Sequence, residues 1–198
     1  MFSTILYLAH LQAILIPLYI AIKSRYKFQH INNSSLLNFG FIFLGIGSLF
    51  EMFDHFKTDW IYINHSSLFN WLFYSSLALG LTLLSISVLK NKCLITFCSL
   101  LCICSICVYW PVGKSLTIFF QIFISIFLII NWHSIFKDYL LLAYPIFGIV
   151  LTTIFGINLV SSDNQIWHIF IGPSGSLSVL TFYLILKRSK KKLCATKY

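Results

Sequence analysis

The apolar residues of this chain lie in long runs that are separated by short polar breaks. Seven runs of about 20 residues each are long enough to cross a membrane as helices: 2–22, 36–56, 67–89, 93–110, 115–132, 139–159 and 166–186. A helix rises about 1.5 Å per residue, so such a run covers a hydrocarbon core about 30 Å thick. The pattern therefore predicts an all-α polytopic membrane protein, a seven-transmembrane-helix bundle in which residues 1–198 form a single transmembrane domain.

Composition supports the membrane prediction. Of the 198 residues, 59% are hydrophobic and only 10% are charged, whereas about a quarter of the residues of a soluble domain are charged. So few charges could not cover a water-facing surface. The short connections between the predicted spans also leave no room for a separate soluble domain.

Basic residues predict the orientation of the bundle. All but two of the 14 lysines and arginines lie in the connection after the first span, the connections near 90–92 and 133–138, or the tail after 186. Only Lys57 and Lys114 fall on the other side. Because cytoplasmic segments are enriched in Lys and Arg, we expect the N-terminus outside and the C-terminus in the cytoplasm. The net charge of +9 then reflects topology and an anionic inner leaflet, and no nucleic-acid partner is expected.

Helix-breaking residues fall within the predicted seventh span. Gly172-Pro173-Ser174-Gly175 lies just after its first turn and a half. Proline and glycine kink membrane helices, and neighbouring groups satisfy the freed backbone. We therefore expect this helix to be loosened at residues 172–175.

Charged and polar residues gather at one end of the predicted bundle. The stretch GIGSLFEMFDHFKTDWIYINHS, residues 45–66, contains three of the five acidic residues and two of the six histidines. On the predicted topology Ser48, Glu51, Asp54 and His55 lie at the outer end of the second helix. His65 opens the third helix, and His168 lies near the outer end of the seventh. Ionisable groups within membranes are costly, so this cluster is predicted to be functional.

The residue types in this cluster suit a zinc site. Imidazoles and carboxylates are common Zn²⁺ ligands, and a catalytic site keeps one position for water. His55, His65 and His168 would bind the metal, while Glu51 and Asp54 would orient imidazole rings or accept a proton. Asp59 is interpreted as a solvated residue of the loop. His10, midway through the first helix, is either a buried hydrogen-bonded histidine or a further member of the site.

Two motifs resemble those of a known group of membrane enzymes. WHIFIGPSGSL, which begins at Trp167, is similar to the seventh helix of alkaline ceramidases in the CREST superfamily, which also includes adiponectin-receptor-like proteins. GIGSLFEMFDH is similar to the second helix of that superfamily, where a serine precedes a zinc-binding histidine. Asn164 stands where those proteins have the first histidine of H-x-x-x-H. The resemblance implies zinc-dependent hydrolysis of a lipid amide or ester, with His168 and His55 as ligands and Ser48 as a supporting residue.

Other functions use the same residues. A small transporter or ligand sensor would use the carboxylate–histidine cluster as a proton or ion site. A haem protein would use a histidine pair such as His55 and His168 as axial ligands. The expected partners are membrane lipids and a lipid-like substrate, and the expected location is a bacterial inner membrane. The oligomeric state is left open by the sequence.

Overall fold

The computed structural model describes residues 2–28, 31, 33–57, 68–112, 114–143 and 164–195. Within these ranges some side chains, including those of His55 and His168, lie outside the described part. The described residues contain six long helices: α1 (Phe2–Lys27), α2 (Ser34–Lys57), α3 (Leu68–Ile86), α4 (Lys92–Cys107), α5 (Lys114–Phe136) and α6 (Asn164–Ala195). A single helical turn, Tyr109–Val112, follows α4, and a 3-10 turn, Tyr139–Leu142, follows α5.

Four of these helices contain segments that are long and apolar enough to cross a membrane: Tyr7–Lys27, Ser34–Asp54, Leu68–Ile86 and Leu116–Phe136. Helix α4 is a shorter apolar helix. These segments agree with the first, second, third and fifth predicted spans, which confirms a helical integral membrane protein. The predicted sixth span, 139–159, lies mostly outside the described residues.

Side-chain contacts establish the directions of the helices. Ser24 on α1 contacts Asn38 on α2, and Gly45 lies against Leu18, so α1 and α2 are antiparallel. Helix α3 returns alongside α2, because Gly47 lies against Ser76 while Gly40 lies against Gly80. Helix α4 is antiparallel to α3, and α5 runs back in the direction of α3. Helix α6 packs against α1.

The bundle therefore has two chemically different ends. The end formed by the C-terminus of α2, the N-terminus of α3 and the turn 109–112 is called here the carboxylate end, because it carries Glu51 and Asp54. The opposite end, the basic end, carries every lysine and arginine whose side chain the structure describes: Lys23, Arg25, Lys27, Lys90, Lys92, Lys137, Lys187 and Arg188. The residues predicted to be cytoplasmic therefore share one end, while the orientation itself stays a prediction.

An ion pair joins two segments at the basic end. A guanidinium nitrogen of Arg188 on α6 lies 3.7 Å from a carboxylate oxygen of Asp138, which precedes the 3-10 turn. The Arg188 side chain is 57% exposed, so the pair contributes at most about 1 kcal/mol. The same oxygen of Asp138, Oδ1, also accepts a hydrogen bond from the Leu140 amide and so caps the 3-10 turn.

Helix α6 is continuous through the predicted break. Its hydrogen-bonded pattern runs from Asn164 to Ala195 with Pro173 inside it. The helix is therefore not interrupted at residues 172–175, and its loosening there stays a prediction. Proline removes one backbone donor, and the residues on both sides keep helical geometry, since membrane helices tolerate such a loss.

Helix α3 is the central helix of the described bundle, because it packs against α2, α4 and α5. Hydrogen bonds hold it to α5 near both ends. Gln121 Nε2 donates to the Tyr74 carbonyl oxygen over 2.7 Å, while Trp132 Nε1 donates to the Leu84 carbonyl oxygen over 2.9 Å. Asn131 Nδ2 also donates to Ser85 Oγ over 2.9 Å. Because all these groups are buried, the bonds fix the register of α3 against α5.

Two glycines bring α2 and α3 into close contact. A methyl group at Gly80 would lie 3.0 Å from the Gly40 carbonyl oxygen and 2.8 Å from a methyl carbon of Leu44. Small residues of this kind let membrane helices approach closely, and van der Waals contact is the main attraction between them. The α2–α3 interface therefore depends on the absence of a side chain at residue 80.

Gly80→Ala is expected to lower the free energy of unfolding by about 1–3 kcal/mol, because the added methyl group overpacks the interface. Gly175→Ala on α6 is the matched control, since nothing lies within 4 Å of its added methyl group. That control is expected to be neutral or stabilising by about 0.5–1 kcal/mol. Denaturant unfolding in detergent micelles measures the free energy of unfolding of both variants. An equal change in the two variants would contradict the close approach of α2 and α3.

Candidate functional site

A buried chain of hydrogen bonds crosses three elements at the carboxylate end. The Tyr109 hydroxyl donates to Asn70 Oδ1 over 2.9 Å, and Asn70 Nδ2 donates to Asp54 Oδ2 over 3.4 Å. The exposed fractions are 1% for Asp54, 5% for Asn70 and 3% for Tyr109. The three side chains come from α2, α3 and the turn after α4. The amide of Asn70 thus bridges a carboxylate and a phenol away from water and lipid.

Two further residues complete what we call the polar cluster, defined as Glu51, Asp54, Asn70, Tyr74 and Tyr109. The rings of Tyr74 and Tyr109 lie 6.3 Å apart between centroids. Glu51 lies one turn before Asp54 on the same face of α2. Tyr74 is buried and Glu51 is half-buried. The cluster therefore holds two carboxylates, two phenols and one amide.

Helical spacing explains how the sequence assembles this cluster. Asn70 and Tyr74 are four residues apart on α3, and Glu51 and Asp54 are three apart on α2, so each pair lies on one face of its helix. Helices α2 and α3 are antiparallel, which places the end of one beside the start of the other. The Tyr109 amide follows the C-cap of α4 at Val108, and the next helical turn directs Tyr109 back towards α3.

Aromatic rings surround the cluster on the α3–α4 side. The rings of Trp71 and Trp110 are 6.3 Å apart, and Tyr109 lies 5.3 Å from Trp110 and 6.3 Å from Tyr74 between ring centroids. Trp71 Nε1 donates to the Ile106 carbonyl oxygen over 3.1 Å, which ties α3 to the end of α4. Such a shell lowers the local dielectric constant, so hydrogen bonds and charges within it act more strongly than in water.

The chemical capacity of the cluster follows from its groups. Ionised carboxylates accept hydrogen bonds, phenols donate and accept, and the amide does both. A small polar molecule entering between α2, α3 and the turn 109–112 would find donors and acceptors on all three elements.

The predicted site residues fall into two groups. Glu51 and Asp54 lie together at the carboxylate end, as the sequence predicted, and the near-complete burial of Asp54 excludes a merely solvated role. The Ser48 hydroxyl donates to the Leu44 carbonyl oxygen of its own helix over 3.3 Å.

His65 and Asp59 lie outside the described residues, as do the side chains of His55 and His168. The zinc-binding trio therefore stays a prediction.

Within the described part of the chain, no three His, Cys, Asp or Glu side chains converge to hold a metal ion. His10 is buried on α1, being 3% exposed. The register that pairs Ser24 with Asn38 and Leu18 with Gly45 places His10 at the level of Phe53, between Glu51 and Asp54. Its burial is consistent with both sequence-based interpretations, a buried hydrogen-bonded histidine and a further member of the site.

Sequence reasoning missed Asn70, Tyr74 and Tyr109. Asn70 carried a usable signal, because a lone asparagine within an apolar span must find a partner. The tyrosines carried none, since tyrosine also lies at membrane interfaces without any polar partner. Their convergence depends on how α3 and α4 are rotated, and no local pattern determines that rotation.

Tyr109→Phe is expected to lower the free energy of unfolding by about 1 kcal/mol, because Asn70 Oδ1 loses a buried donor. Tyr26→Phe is the control, since Tyr26 is 71% exposed on α1 and should change stability by less than about 0.5 kcal/mol. Chemical denaturation in micelles compares the two. Equal stability of the two variants would show that the Tyr109–Asn70 bond contributes nothing.

No curated protein and no solved structure matches the chain. Residues 2–192 match the family described as "Seven transmembrane receptor" (7TM_cyano). This match supports the seven-helix membrane protein that the apolar runs predicted, but not membership of the CREST superfamily. Since the match covers almost the whole sequence, the chain belongs to the seven transmembrane receptor family.

Proposed function

We propose that this protein is a membrane receptor that binds a small polar ligand at the polar cluster. The observation that carries the proposal is the buried hydrogen-bonded chain Asp54–Asn70–Tyr109, which joins three elements of the bundle. Buried carboxylates and amides are costly in a membrane protein, so their concentration at one end favours a functional site over a structural one. The description of the family as receptors supports the same assignment.

The predicted orientation places the ligand site outside the cytoplasm. The carboxylate end is opposite the basic end, and basic segments are retained on the cytoplasmic side of membranes. A bacterial inner membrane is the proposed location, with the ligand reaching the cluster from the outer side. The basic end, with its exposed lysines and the tail after residue 186, would then face the cytoplasm and an anionic leaflet.

Helix α3 is suited to carry a signal between the two ends. It contributes Asn70 and Tyr74 to the cluster, while Leu84 and Ser85 near its other end bind Trp132 and Asn131 on α5. A ligand that pulls Asn70 towards α2 would have to move α3 together with α5, since hydrogen bonds join them near both ends. A small shift of packed helices is one of the established forms of switching.

Thermal unfolding in the presence of small polar compounds tests this function. A ligand present at about 100 times its dissociation constant stabilises the folded state by about 2.7 kcal/mol. We expect at least one class of amine, carboxylate or hydroxylated compound to raise the unfolding temperature of the purified protein in a concentration-dependent way. A panel covering these classes that leaves the transition unchanged at millimolar concentration would contradict a receptor for small polar ligands.

A zinc-dependent hydrolase of lipid amides or esters is the second candidate. It is favoured by the two carboxylates of the cluster, which stand four residues and one residue before His55. Three neutral imidazoles from His55, His65 and His168 would suit Zn²⁺, and Glu51 or Asp54 would accept the proton of a metal-bound water. Elemental mass spectrometry of protein purified without chelator decides between the candidates. About one zinc per chain that is lost in His168→Ala supports the hydrolase, and no zinc in either protein excludes this site.

A further inference from the structure

The lipid-facing side of α1 carries a regular stripe of exposed residues. Its members are spaced alternately by four and three positions: Leu8, Gln12, Leu15, Tyr19, Ile22 and Tyr26. The five apolar members are 54% to 71% exposed. The opposite face of α1, including Ala9, Ile14, Ile20 and Ala21, is buried in the bundle. We call the exposed set the α1 stripe.

A spacing of four and three is what any single face of a helix shows, so the stripe can face either lipid or a partner helix. Residues at such positions keep facing a partner helix along the whole contact, because they repeat about every 3.5 residues. The α1 stripe extends from Leu8 to Tyr26, which is most of the Tyr7–Lys27 span.

Gln12 is the polar member of the stripe, and its side chain is exposed. It lies five residues, about 7.5 Å, from Pro17 at the centre of the Tyr7–Lys27 span, and therefore within a hydrocarbon core about 30 Å thick. Lipid tails offer an amide no hydrogen bond. Glutamines at such positions form hydrogen bonds across helix–helix interfaces in membranes.

We propose that the α1 stripe is a self-association surface and that its occupant is α1 of a second copy of this chain. The glutamine amide is its own complement, because its N–H groups carry partial positive charge and its carbonyl partial negative charge. Two copies have the same charge distribution between their ends and therefore the same orientation in the membrane. Their α1 helices pack in parallel, which sets one Gln12 opposite the other. The two Gln12 amides exchange hydrogen bonds with each other, and this contact fixes the register of the two α1 helices.

This surface is separate from the polar cluster. Helix α1 contacts α2 and α6 with other residues, and the stripe faces away from both. Self-association through the stripe leaves the carboxylate end of each copy open, so a dimer presents two ligand sites. A failed ligand screen would therefore leave this proposal standing.

Energy transfer between fluorescent copies tests the proposal. Donor- and acceptor-labelled chains are reconstituted together in phosphatidylcholine vesicles at several protein-to-lipid ratios. Interhelical hydrogen bonds contribute about 1–2 kcal/mol in model membrane peptides, which corresponds to a roughly 5- to 30-fold change in association. We expect Gln12→Leu to weaken association by that factor and Gln12→Asn to retain most of it.

Thr96→Leu is the control, because it also replaces an exposed polar residue by leucine but lies on α4, outside the stripe. It is expected to associate like the wild type. Energy transfer between wild-type copies that is no greater than random proximity in the vesicle would produce would overturn the proposal. Equal association of the wild type and Gln12→Leu would overturn it as well. Thermal unfolding of each variant distinguishes lost association from lost folding.

Discussion

Replacing Trp132 by alanine is expected to lower the free energy of unfolding by about 3–5 kcal/mol, the largest effect of any substitution considered for this protein. Trp132 is fully buried. Its ring packs against Phe182 of α6 at 4.9 Å and against Phe136 of its own helix at 5.2 Å between centroids. The side chain thus joins α3, α5 and α6, and alanine would leave a large cavity between them.

Two further variants separate the contributions of Trp132. Trp132→Phe keeps an aromatic ring but loses the hydrogen bond to the Leu84 carbonyl oxygen, so a cost of about 0.5–1.5 kcal/mol is expected from that bond. Ile130→Ala on the same helix is the control, because Ile130 is 57% exposed and lipid can fill the space that its side chain leaves. Denaturant titration in micelles measures the free energy of unfolding of all three variants. A cost for Trp132→Ala no larger than that of Ile130→Ala would contradict the packing of α5 against α3 and α6.

Asp54→Asn is expected to weaken ligand binding at least tenfold, or about 1.4 kcal/mol. The substitution keeps the size of the side chain and an oxygen that can accept from Asn70, so the fold should persist. It removes the negative charge, and hydrogen bonds to an ionised group are roughly twice as strong as neutral ones. The expected result is a loss of ligand-dependent thermal stabilisation without a comparable loss of stability in the absence of ligand.

Asp138→Asn provides the matched control for this substitution. It makes the same chemical change at the basic end, where Asp138 pairs with the exposed Arg188, and it should leave ligand-dependent stabilisation intact. If both variants respond to ligand like the wild type, the ligand does not bind at Asp54. If both lose the response equally, the effect is general and the polar cluster is not the site.

Much of the helical architecture could be predicted from the sequence, because hydrocarbon thickness determines how long an apolar run must be. Predicted and observed ends agree closely for α2, which was predicted at 36–56 and found at Ser34–Lys57. Helix α1 extends five residues beyond its predicted end and carries Lys23, Arg25 and Lys27 in helical geometry. Basic side chains stabilise a helix C-terminus and reach the interface with their long stems, so the helix continues past the apolar run.

The candidate site was only partly predictable, for a different physical reason. The positions of Glu51 and Asp54 followed from topology alone, since the end of α2 must lie at one end of the bundle. The partners of Asp54 depend on which faces of α3 and α4 are turned inwards, and helix rotation is set by packing between helices. The tight Gly40–Gly80 contact and the Trp132 hydrogen bond determine that rotation, and neither pairing can be deduced from one sequence.

Hydrogen–deuterium exchange of the purified protein, with and without the most stabilising compound of the screen, tests the location of the site most directly. Residues 51–57, 68–74 and 106–112 form the carboxylate end, and their amides lie near helix ends, where exchange is measurable. The receptor account predicts slower exchange in peptides that cover these residues, with little change at residues 23–28 and 86–95 of the basic end. Protection confined to the basic end, with none at residues 51–57 and 68–74, would contradict a ligand site at the polar cluster.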